Sequence, residues 1–290
     1  MQIVESADDF KTALRLCQGR ALSAFGDDRV FVEKYIEGAQ HIEFQVLGDG
    51  SKAIHFGERF CSIQRRHQKI IEEGPWLSEE VREELGAKVV AGAEAVGYKG
   101  LATFEFLRDA DGEFYFLEMN TRLQVEHPVT EMTTGIDLVL KQFEVAAGLP
   151  LGIIQADVGL SGHAIEARVY AEDASRGFLP CVGRLVTWKT PQGPGIRVDS
   201  GVRQGDTVTI DFDPMLAKLI VHAPTRRAAL RRLDTALSNL IALGVTTNIG
   251  FLRDVAAHQA FTTGSVTTDF LDYSDISGFS HTKVEPAVLV

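Results

Sequence analysis

Two carboxylates on a predicted β-hairpin are the residues whose spacing points most directly to chemistry. The segment TFEFLRDADGEFYFLEMNTR (residues 103–122) alternates apolar and polar side chains around Asp111-Gly112, a dipeptide typical of a tight type I′ turn. Glu105 precedes Asp111 by the same number of residues as Glu118 follows Gly112, so the two glutamates lie opposite each other. Their Cβ atoms are then roughly 5 Å apart. Such a pair is unfavourable unless one carboxyl is protonated or a cation lies between them, and a hard divalent cation such as Mg²⁺ suits carboxylate oxygens.

The second strand of this hairpin carries further polar groups. Strand periodicity places Asn120 and Arg122 on the face of Glu118. The side chains predicted on the apolar face are Phe104, Phe106, Leu117 and Met119. An exposed polar face on an ordinary hairpin is the alternative explanation, because half-polar hairpins are common. However, the polar run continues through LQVEHPVTE (residues 123–131), where a simple hairpin ends, and this favours a functional site.

A basic cluster interrupts an otherwise acidic chain. The segment CSIQRRHQKIIEE (residues 61–73) contains four cationic or potentially cationic side chains: Arg65, Arg66, His67 and Lys69. A multiply charged anion such as a triphosphate needs this kind of counter-charge. A solvated turn whose charges pair with the glutamates at the end of the segment is the alternative.

Composition limits the classes of protein. The chain has 290 residues and a formal net charge of −11, which excludes a nucleic-acid binder that neutralises phosphates over its whole surface. The three cysteines are odd in number and lack a CxxC pair, which argues against disulfides or a zinc site and predicts a reducing compartment. No apolar run approaches the ~18 residues that a membrane span needs, and the N-terminus does not resemble a signal peptide. We therefore expect a soluble cytoplasmic protein with no membrane or nucleic-acid partner.

Caps and periodicity predict the elements that position these residues. Helices are expected after Ser6, over 78–96 with Ser78 as the N-cap, and from Asp137. Strands are expected over 30–36, 41–47 (half-buried), 52–56, 103–107 and 114–119. Beyond about residue 160 the pattern changes to short strands with Gly and Pro turns, followed by helices over 226–241 and 250–258.

These segments together resemble the biotin carboxylase component of biotin-dependent acyl-CoA carboxylases, an ATP-grasp family. The resemblance covers nearly the whole chain, and the run EMNTRLQVEHPVTE (residues 118–131) is highly specific. Other matching segments are VFVEKYIEGAQHIEFQVLGDG, ERFCSIQRRHQKIIEE, GHAIEARVYAED and FDPMLAKLIV. The stretch GRLVTWKTPQGPGIRVDSGV is more similar to the acetyl-, propionyl- or methylcrotonyl-CoA branch.

The resemblance implies an α+β fold, in which an antiparallel ATP-grasp sheet with flanking helices precedes a biotin carboxylase C-terminal domain. The implied parts are a remnant of the lid (1–34), the catalytic core (35–160), the C-terminal domain (161–275) and a tail (276–290). The family's N-terminal domain and the glycine-rich loop of its lid have no counterpart here, so most of the lid is expected to be missing. The implied reaction is ATP- and bicarbonate-dependent carboxylation of biotin through carboxyphosphate, catalysed only when the missing half comes from another polypeptide or a longer gene.

The resemblance also implies roles for individual residues toward ATP and its metal. The residues implied in adenine binding are Glu33, Lys34 and Ile36. Those implied at the ribose and phosphates are His41, Gln64 and His67. Those implied as ligands of Mg²⁺ or Mn²⁺ are Glu105, Glu118 and Asn120.

Toward bicarbonate and biotin, the resemblance implies a second set. The bicarbonate ligands would be Lys69, Arg122, Gln124 and the backbone of Val125. Glu126 would be the general base, Arg168 would stabilise the biotin enolate, and Glu43 matches a polar position facing the same site. Biotin would arrive on a separate carrier domain, with a carboxyltransferase as a further partner, and a homodimer is expected.

Two alternatives to an active biotin carboxylase stay open. The chain could be a truncated, inactive product that acts only as a binding or dimerisation module. It could also be a different ATP-grasp ligase, in which a carboxylate or an amine replaces bicarbonate as the substrate.

Overall fold

The computed structural model describes residues 2–273 and residue 276, and the chain divides into two compact units between Glu37 and Gly38. All but one residue of the predicted tail therefore lie outside the described residues. The first unit contains helix α1 (Ala7–Phe25), whose N-cap Ser6 accepts a hydrogen bond from the backbone of Asp9. Gly26 ends the helix in the left-handed conformation, with φ of 71°, and the predicted helix is confirmed.

The strand predicted over residues 30–36 is wrong, because these residues are neither helix nor strand. Their valines, phenylalanine and tyrosine favour extended backbone, but a strand also needs a neighbouring strand to accept and donate its hydrogen bonds. Among its described residues, the first unit contains no second strand.

The second unit contains the remaining helices and strands. Its helices are α2 (Glu79–Ala95), α3 (His127–Thr134), α4 (Leu138–Ala146), α5 (Arg226–Asn239), α6 (Ile249–Ala257), α7 (Gln259–Thr263) and α8 (Phe270–Tyr273). Its longer strands are β1 (Gln40–Asp49), β2 (Ala53–Arg65), β3 (Gln68–Gly74), β4 (Lys99–Arg108), β5 (Phe114–Asn120) and β6 (His163–Tyr170). The strands that follow are β7 (Glu172–Asp173), β8 (Leu179–Pro180), β9 (Gly183–Arg184), β10 (Thr187–Lys189), β11 (Ile196–Ser200), β12 (Thr207–Val208), β13 (Met215–Ala223) and β14 (Ile241–Leu243).

One antiparallel sheet of eight strands organises this unit. Its order is β11-β13-β6-β3-β2-β1-β4-β5, and three two-stranded ribbons pair β10 with β14, β12 with β9 and β7 with β8. An antiparallel sheet with flanking helices confirms the predicted α+β fold. Among the described residues, no helix is both long enough and apolar enough to cross a bilayer.

Strand β1 shows how the sheet separates its core from its polar face. Phe44 and its apolar neighbours on one face pack with Leu85 and Val89 of α2, which the cap at Ser78 starts as predicted. The predicted half-buried strand is wrong in one respect, because the polar Glu43 and Gln45 on the other face are fully buried too. Buried polar groups need hydrogen-bond partners, and a network of charged side chains supplies them on this face.

The β4–β5 hairpin pairs Glu105 with Glu118, as the sequence predicts, but through a different turn. The Asp109 N–H donates to the carbonyl of Glu113 at 3.0 Å, so three residues form the loop instead of two. This shifts the register by one, and a bulge at Leu117 shifts it back before Glu118. Leu117 is consequently 39% exposed, and its predicted place on the apolar face is wrong.

Candidate functional site

Four adjacent strands place charged side chains in one row across the polar face of the sheet. The cross-strand partners along this row are Arg59 on β2, Glu43 on β1, Glu105 on β4 and Glu118 on β5. Partners in an antiparallel sheet share a face, so register alone brings three carboxylates and one guanidinium together. Arg59, Glu43 and Glu105 are buried, whereas Glu118 is exposed at the edge strand.

Lys69, on β3, brings a second cation into this row. Its Nζ lies 2.5 Å from Glu43 Oε2, 3.0 Å from Glu105 Oε1 and 2.6 Å from Glu126 Oε1. Burial lowers the pKa of Lys69, but the surrounding carboxylates more than offset this effect and hold it well above its ordinary value. For Glu43 the effects are reversed. Burial raises the pKa of this carboxyl, but Arg59 and Lys69 lower it to about 2. The ammonium and Glu43 are therefore both charged at neutral pH.

Arg59 is the centre of a hydrogen-bond network behind Lys69. It is fully buried, and its Nε donates to Glu43 Oε1 at 2.6 Å. The other nitrogens donate to Gln45 and Thr130 at 2.9 and 2.8 Å and to Gln124 Oε1 at 3.0 Å. The Gln124 amide in turn donates to Glu105 Oε1 at 2.6 Å. Arg59 therefore orients Glu43, which pairs with Lys69, and Gln124, which donates to Glu105.

The Glu105–Glu118 pair has the donor set of a hard-cation site. Asn120 Nδ2 donates to Glu105 Oε1 at 3.0 Å and to Glu118 Oε1 at 2.9 Å, so one amide group bridges the two carboxylates. Burial raises the pKa of Glu105, but His41 and Lys69 hold it well below its ordinary value, and the carboxylate stays ionised. Two carboxylates and an amide oxygen fit Mg²⁺ or Mn²⁺, both of which prefer oxygen ligands.

Glu126 lies between two cations at the start of α3. It occupies the N-cap position but makes no capping hydrogen bond, so its carboxylate is free to face the site. Oε1 accepts from Lys69, and Oε2 accepts from Arg168 Nη2 at 3.0 Å. Arg168, on β6, also donates through Nε to Glu72 Oε1 at 2.6 Å. The structure thus brings the predicted base and the predicted enolate-stabilising arginine into direct contact.

Two of the predicted nucleotide-binding residues form a chain that leads to the carboxylates. Gln64 Nε2 donates to His41 Nδ1 at 2.6 Å, which assigns the ring proton to Nε2, 3.0 Å from Glu105 Oε2. His67 is not part of this chain. It lies with Arg66 at the exposed β2–β3 turn, where both residues have positive φ, as a type I′ turn requires.

The remaining predicted residues lie at the rim or in the first unit. Arg122 is exposed, and its guanidinium lies 3.5 Å from Asn120 Oδ1. The carbonyl of Val125 accepts from Lys218 Nζ at 2.7 Å. The three residues predicted to bind adenine belong to the first unit, in its non-helical part: Glu33, Lys34 and Ile36.

Sequence reasoning missed several residues that the fold places at the site. The sequence predicts Glu72, on β3, only as a partner for the charges of a solvated turn, and Arg59, on β2, only as a member of a structural ion-pair network. Glu166 precedes Arg168 by two residues on β6, and Lys218 is the cross-strand partner of Arg168 on β13. Two-residue spacing from a predicted site residue places a side chain on the same strand face, and this signal could have identified Glu166.

Comparison with known families divides the chain into two segments. Residues 1–154 match the family model of the carbamoyl-phosphate synthase L chain, ATP binding domain. Residues 166–273 match the model of the biotin carboxylase C-terminal domain.

Similar proteins of known name agree with these matches. The chain is 47% identical over 289 residues to the mitochondrial propionyl-CoA carboxylase alpha chain of Sus scrofa, covering 98% of this chain and 40% of that protein. It is 49% identical over 278 residues to the mitochondrial methylcrotonoyl-CoA carboxylase subunit alpha of Arabidopsis thaliana, covering 94% of this chain and 38% of that protein. The chain therefore spans about two fifths of the length of these relatives.

Solved structures give the same result. The biotin carboxylase domain dimer of Hydrogenobacter thermophilus 2-oxoglutarate carboxylase, in complex with MgADP, ADP and bicarbonate, superimposes with a TM-score of 0.90 at 42% identity, covering 94% of this chain and 61% of that one. A biotin carboxylase–ATP complex from Campylobacter jejuni gives a TM-score of 0.91 at 41% identity, covering 94% and 62%. The chain belongs to the biotin carboxylase family, with an ATP-binding segment of the carbamoyl-phosphate synthase type ahead of a biotin carboxylase C-terminal domain.

Proposed function

We propose that this chain catalyses ATP- and bicarbonate-dependent carboxylation of biotin, as part of an acyl-CoA carboxylase of the propionyl or methylcrotonyl type. The observation that carries the proposal is Glu126, held between Lys69 and Arg168 beside the Glu105–Glu118 pair. A base, two cations and a hard-cation site are what the transfer of a phosphoryl group to a weak anionic nucleophile needs. Relatives that are carboxylase alpha chains support the acyl-CoA branch.

The proposed first step uses Glu126 as the base. Bicarbonate, held by Lys69, Arg122, Gln124 and the Val125 backbone, attacks the γ-phosphorus of ATP while Glu126 accepts its proton. ADP leaves, and carboxyphosphate forms. Mg²⁺ or Mn²⁺ bound by Glu105, Glu118 and Asn120 would neutralise the phosphate oxygens. His41, Gln64 and His67 would contact the ribose and the phosphates, and the His41 ring also lies 3.0 Å from Glu105.

The proposed second step uses Arg168. Carboxyphosphate breaks down to CO₂ and phosphate, and the phosphate accepts the N1′ proton of biotin. The negative charge then moves to the ureido oxygen, where a fixed guanidinium can stabilise it. The N1′ nitrogen attacks CO₂ and yields N-carboxybiotin.

Adenine would be held by Glu33, Lys34 and Ile36.

We further propose three partners by analogy with the relatives: a biotin carboxyl carrier domain, a carboxyltransferase and a second copy of the chain. The Hydrogenobacter thermophilus relative is a domain dimer, which supports the homodimer. The two curated relatives are mitochondrial proteins, and the cytoplasmic location of this chain stays a prediction.

Substrate dependence of ATP hydrolysis tests the proposed function. We expect the purified chain with Mg²⁺ to hydrolyse ATP only when bicarbonate is present, and free biotin to stimulate the rate. Hydrolysis driven by another carboxylate or by an amine in place of bicarbonate would support a different ATP-grasp ligase. If the chain hydrolyses no ATP with bicarbonate yet binds the carrier domain, the proposal is wrong and the chain is a binding module.

The predicted metal site gives a second test. Glu118→Gln removes one of the two carboxylates but leaves the buried cluster around Lys69 intact. Loss of the hydrogen-bond partner of a metal ligand already lowers metal affinity by roughly tenfold or more. We expect the Mg²⁺ concentration for half-maximal ATP hydrolysis to rise by at least this factor. Glu113→Gln, at the exposed loop of the same hairpin, is the matched control. An equal Mg²⁺ requirement in both variants would remove Glu118 from the metal site.

A further inference from the structure

Two buried glutamates lie next to Arg168 in the sheet, and one of them, Glu166, has no role in the proposed reaction. Glu72 on β3 and Glu166 on β6 are cross-strand partners, and both are fully buried. Partners of this kind have Cβ atoms about 4.5–5.5 Å apart, so their carboxyl groups can meet. Glu72 Oε1 accepts from Arg168 Nε at 2.6 Å. Among the described residues, neither Glu72 Oε2 nor either oxygen of Glu166 has a hydrogen-bond donor.

Three buried carboxylate oxygens without a donor would be unfavourable if both groups were ionised. A single proton between the two carboxyls removes most of this cost, because it cancels one charge and supplies an O–H donor to the opposite oxygen. Two carboxyls in close contact share one proton for the same reason in other proteins.

We propose that Glu72 and Glu166 hold one proton between them at neutral pH and that this singly charged pair positions the Arg168 guanidinium toward Glu126. Arg168 then faces two negative charges, those of Glu126 and of the pair, instead of three. Glu72 Oε1 accepts from Arg168 Nε and also lies 2.5 Å from Nη2, the nitrogen that donates to Glu126 Oε2, so Glu72 fixes the edge of the guanidinium that faces Glu126. Glu72 and Glu166 are thus positioning residues, and this role rests on the proposed function of Arg168 toward biotin.

The charged groups around the pair support a titration close to neutrality. Burial, with an added contribution from Glu126, outweighs Arg168 and Lys69 and raises the pKa of Glu72 to about 7. Burial and the adjacent Glu72 raise the pKa of Glu166 well above its ordinary value, although Lys218 and Arg168 oppose this. Tyr170, the remaining titratable group facing Glu72 from β6, stays neutral because burial raises its pKa.

The proton can be observed directly by NMR, without turnover. In the wild-type chain with ¹³C-carboxyl glutamate, we expect one glutamate signal to keep the shift of a neutral acid at pH 7, and this signal to be absent from Glu166→Gln. We expect the Arg168 Nε–H signal to titrate with the pair, with a midpoint above the ordinary glutamate value, because Nε donates to Glu72. In Glu166→Gln this midpoint should move to lower pH, because the amide cannot share a proton, whereas the exposed control Glu84→Gln should follow the wild-type curve.

The pH dependence of stability supplies a further readout with a defined sign. A carboxyl whose pKa is raised by folding holds its proton more tightly in the folded state, so its contribution to the free energy of unfolding falls as pH rises above the ordinary glutamate value. We therefore expect the urea midpoint to fall more between pH 5 and pH 8 in the wild type than in Glu166→Gln.

Glutamate signals that are all ionised at pH 7 in the wild type would overturn the proposal. An Arg168 signal that titrates identically in the wild type and Glu166→Gln would do the same. If Glu166→Gln does not fold, the wild-type glutamate signals still decide, with Glu72→Gln used for their assignment. These readings do not need catalysis, so a failure of the proposed function would appear separately, as absent bicarbonate-dependent ATP hydrolysis.

Discussion

Substitution of Glu126 by glutamine is expected to lower bicarbonate-dependent ATP hydrolysis by about 10²- to 10⁴-fold, the range for loss of a positioned general base. The amide keeps the size of the side chain and can still accept a hydrogen bond from Lys69 or Arg168. It cannot accept a proton from bicarbonate at neutral pH. Initial rates of ADP release at saturating bicarbonate and ATP measure the loss.

Glu131→Gln is the matched control for this variant. Glu131 lies on α3, the helix that begins after Glu126, and its side chain is 9% exposed. It also pairs with an arginine, because its Oε2 accepts from Arg197 Nη1 at 2.7 Å. It lies outside the cluster around Lys69, so we expect a rate close to that of the wild type. Equal losses in the two variants would mean that helix α3 is merely disturbed, and Glu126 would not be the base.

Substitution of Arg59 by methionine is expected to lower the free energy of unfolding by about 3–5 kcal/mol, the cost of breaking a buried ion pair from one side. Arg59 is fully buried and donates to Glu43, Gln45, Thr130 and Gln124. Methionine fills much of the volume but leaves these acceptors unsatisfied, and among the described residues Glu43 keeps the ion pair with Lys69. Equilibrium unfolding in urea measures the change.

Arg253→Met provides the comparison for an exposed ion pair. Arg253 Nε lies 3.1 Å from Asp234 Oδ1, and both side chains are about half exposed. Pairs of this kind contribute at most about 1 kcal/mol, because water and salt screen them. If Arg59→Met changed stability no more than Arg253→Met, Arg59 would not be the centre of the buried network.

Local signals in the sequence were sufficient to predict the helices that begin at a recognisable N-cap. Ser6, Ser78 and Asp137 each accept a hydrogen bond from the first turn of the helix that they start. The Glu105–Glu118 pair was also predictable, although the tight turn assumed for it is wrong and the bulge at Leu117 compensates for the error. The valine-rich segment over residues 30–36 shows the opposite case, since propensity without a pairing strand does not produce a strand.

The centre of the site could not be predicted from spacing. Lys69, Glu126 and Arg168 meet only because β3 pairs with β2 on one side and with β6 on the other, and the order of strands in a sheet is not encoded in any short segment. The resemblance to the biotin carboxylase family implies the roles of these three residues but does not show that their side chains meet. The fully buried Arg59 was missed for a related reason, because it lies beyond the predicted strand 52–56 and only the pairing of β2 with β1 brings it opposite Glu43.

The pairing of β3 with β6 also bears on whether this protein can be divided into two separate chains. Residues 155–165 separate the two family matches, yet β3 belongs to the first segment and most of β6 to the second. A gene split at this point would leave two open strand edges with unpaired N–H and C=O groups, which are sites of aggregation. It would also separate Arg168 from Glu126. The two segments therefore depend on each other for a closed sheet and for the contact between Glu126 and Arg168.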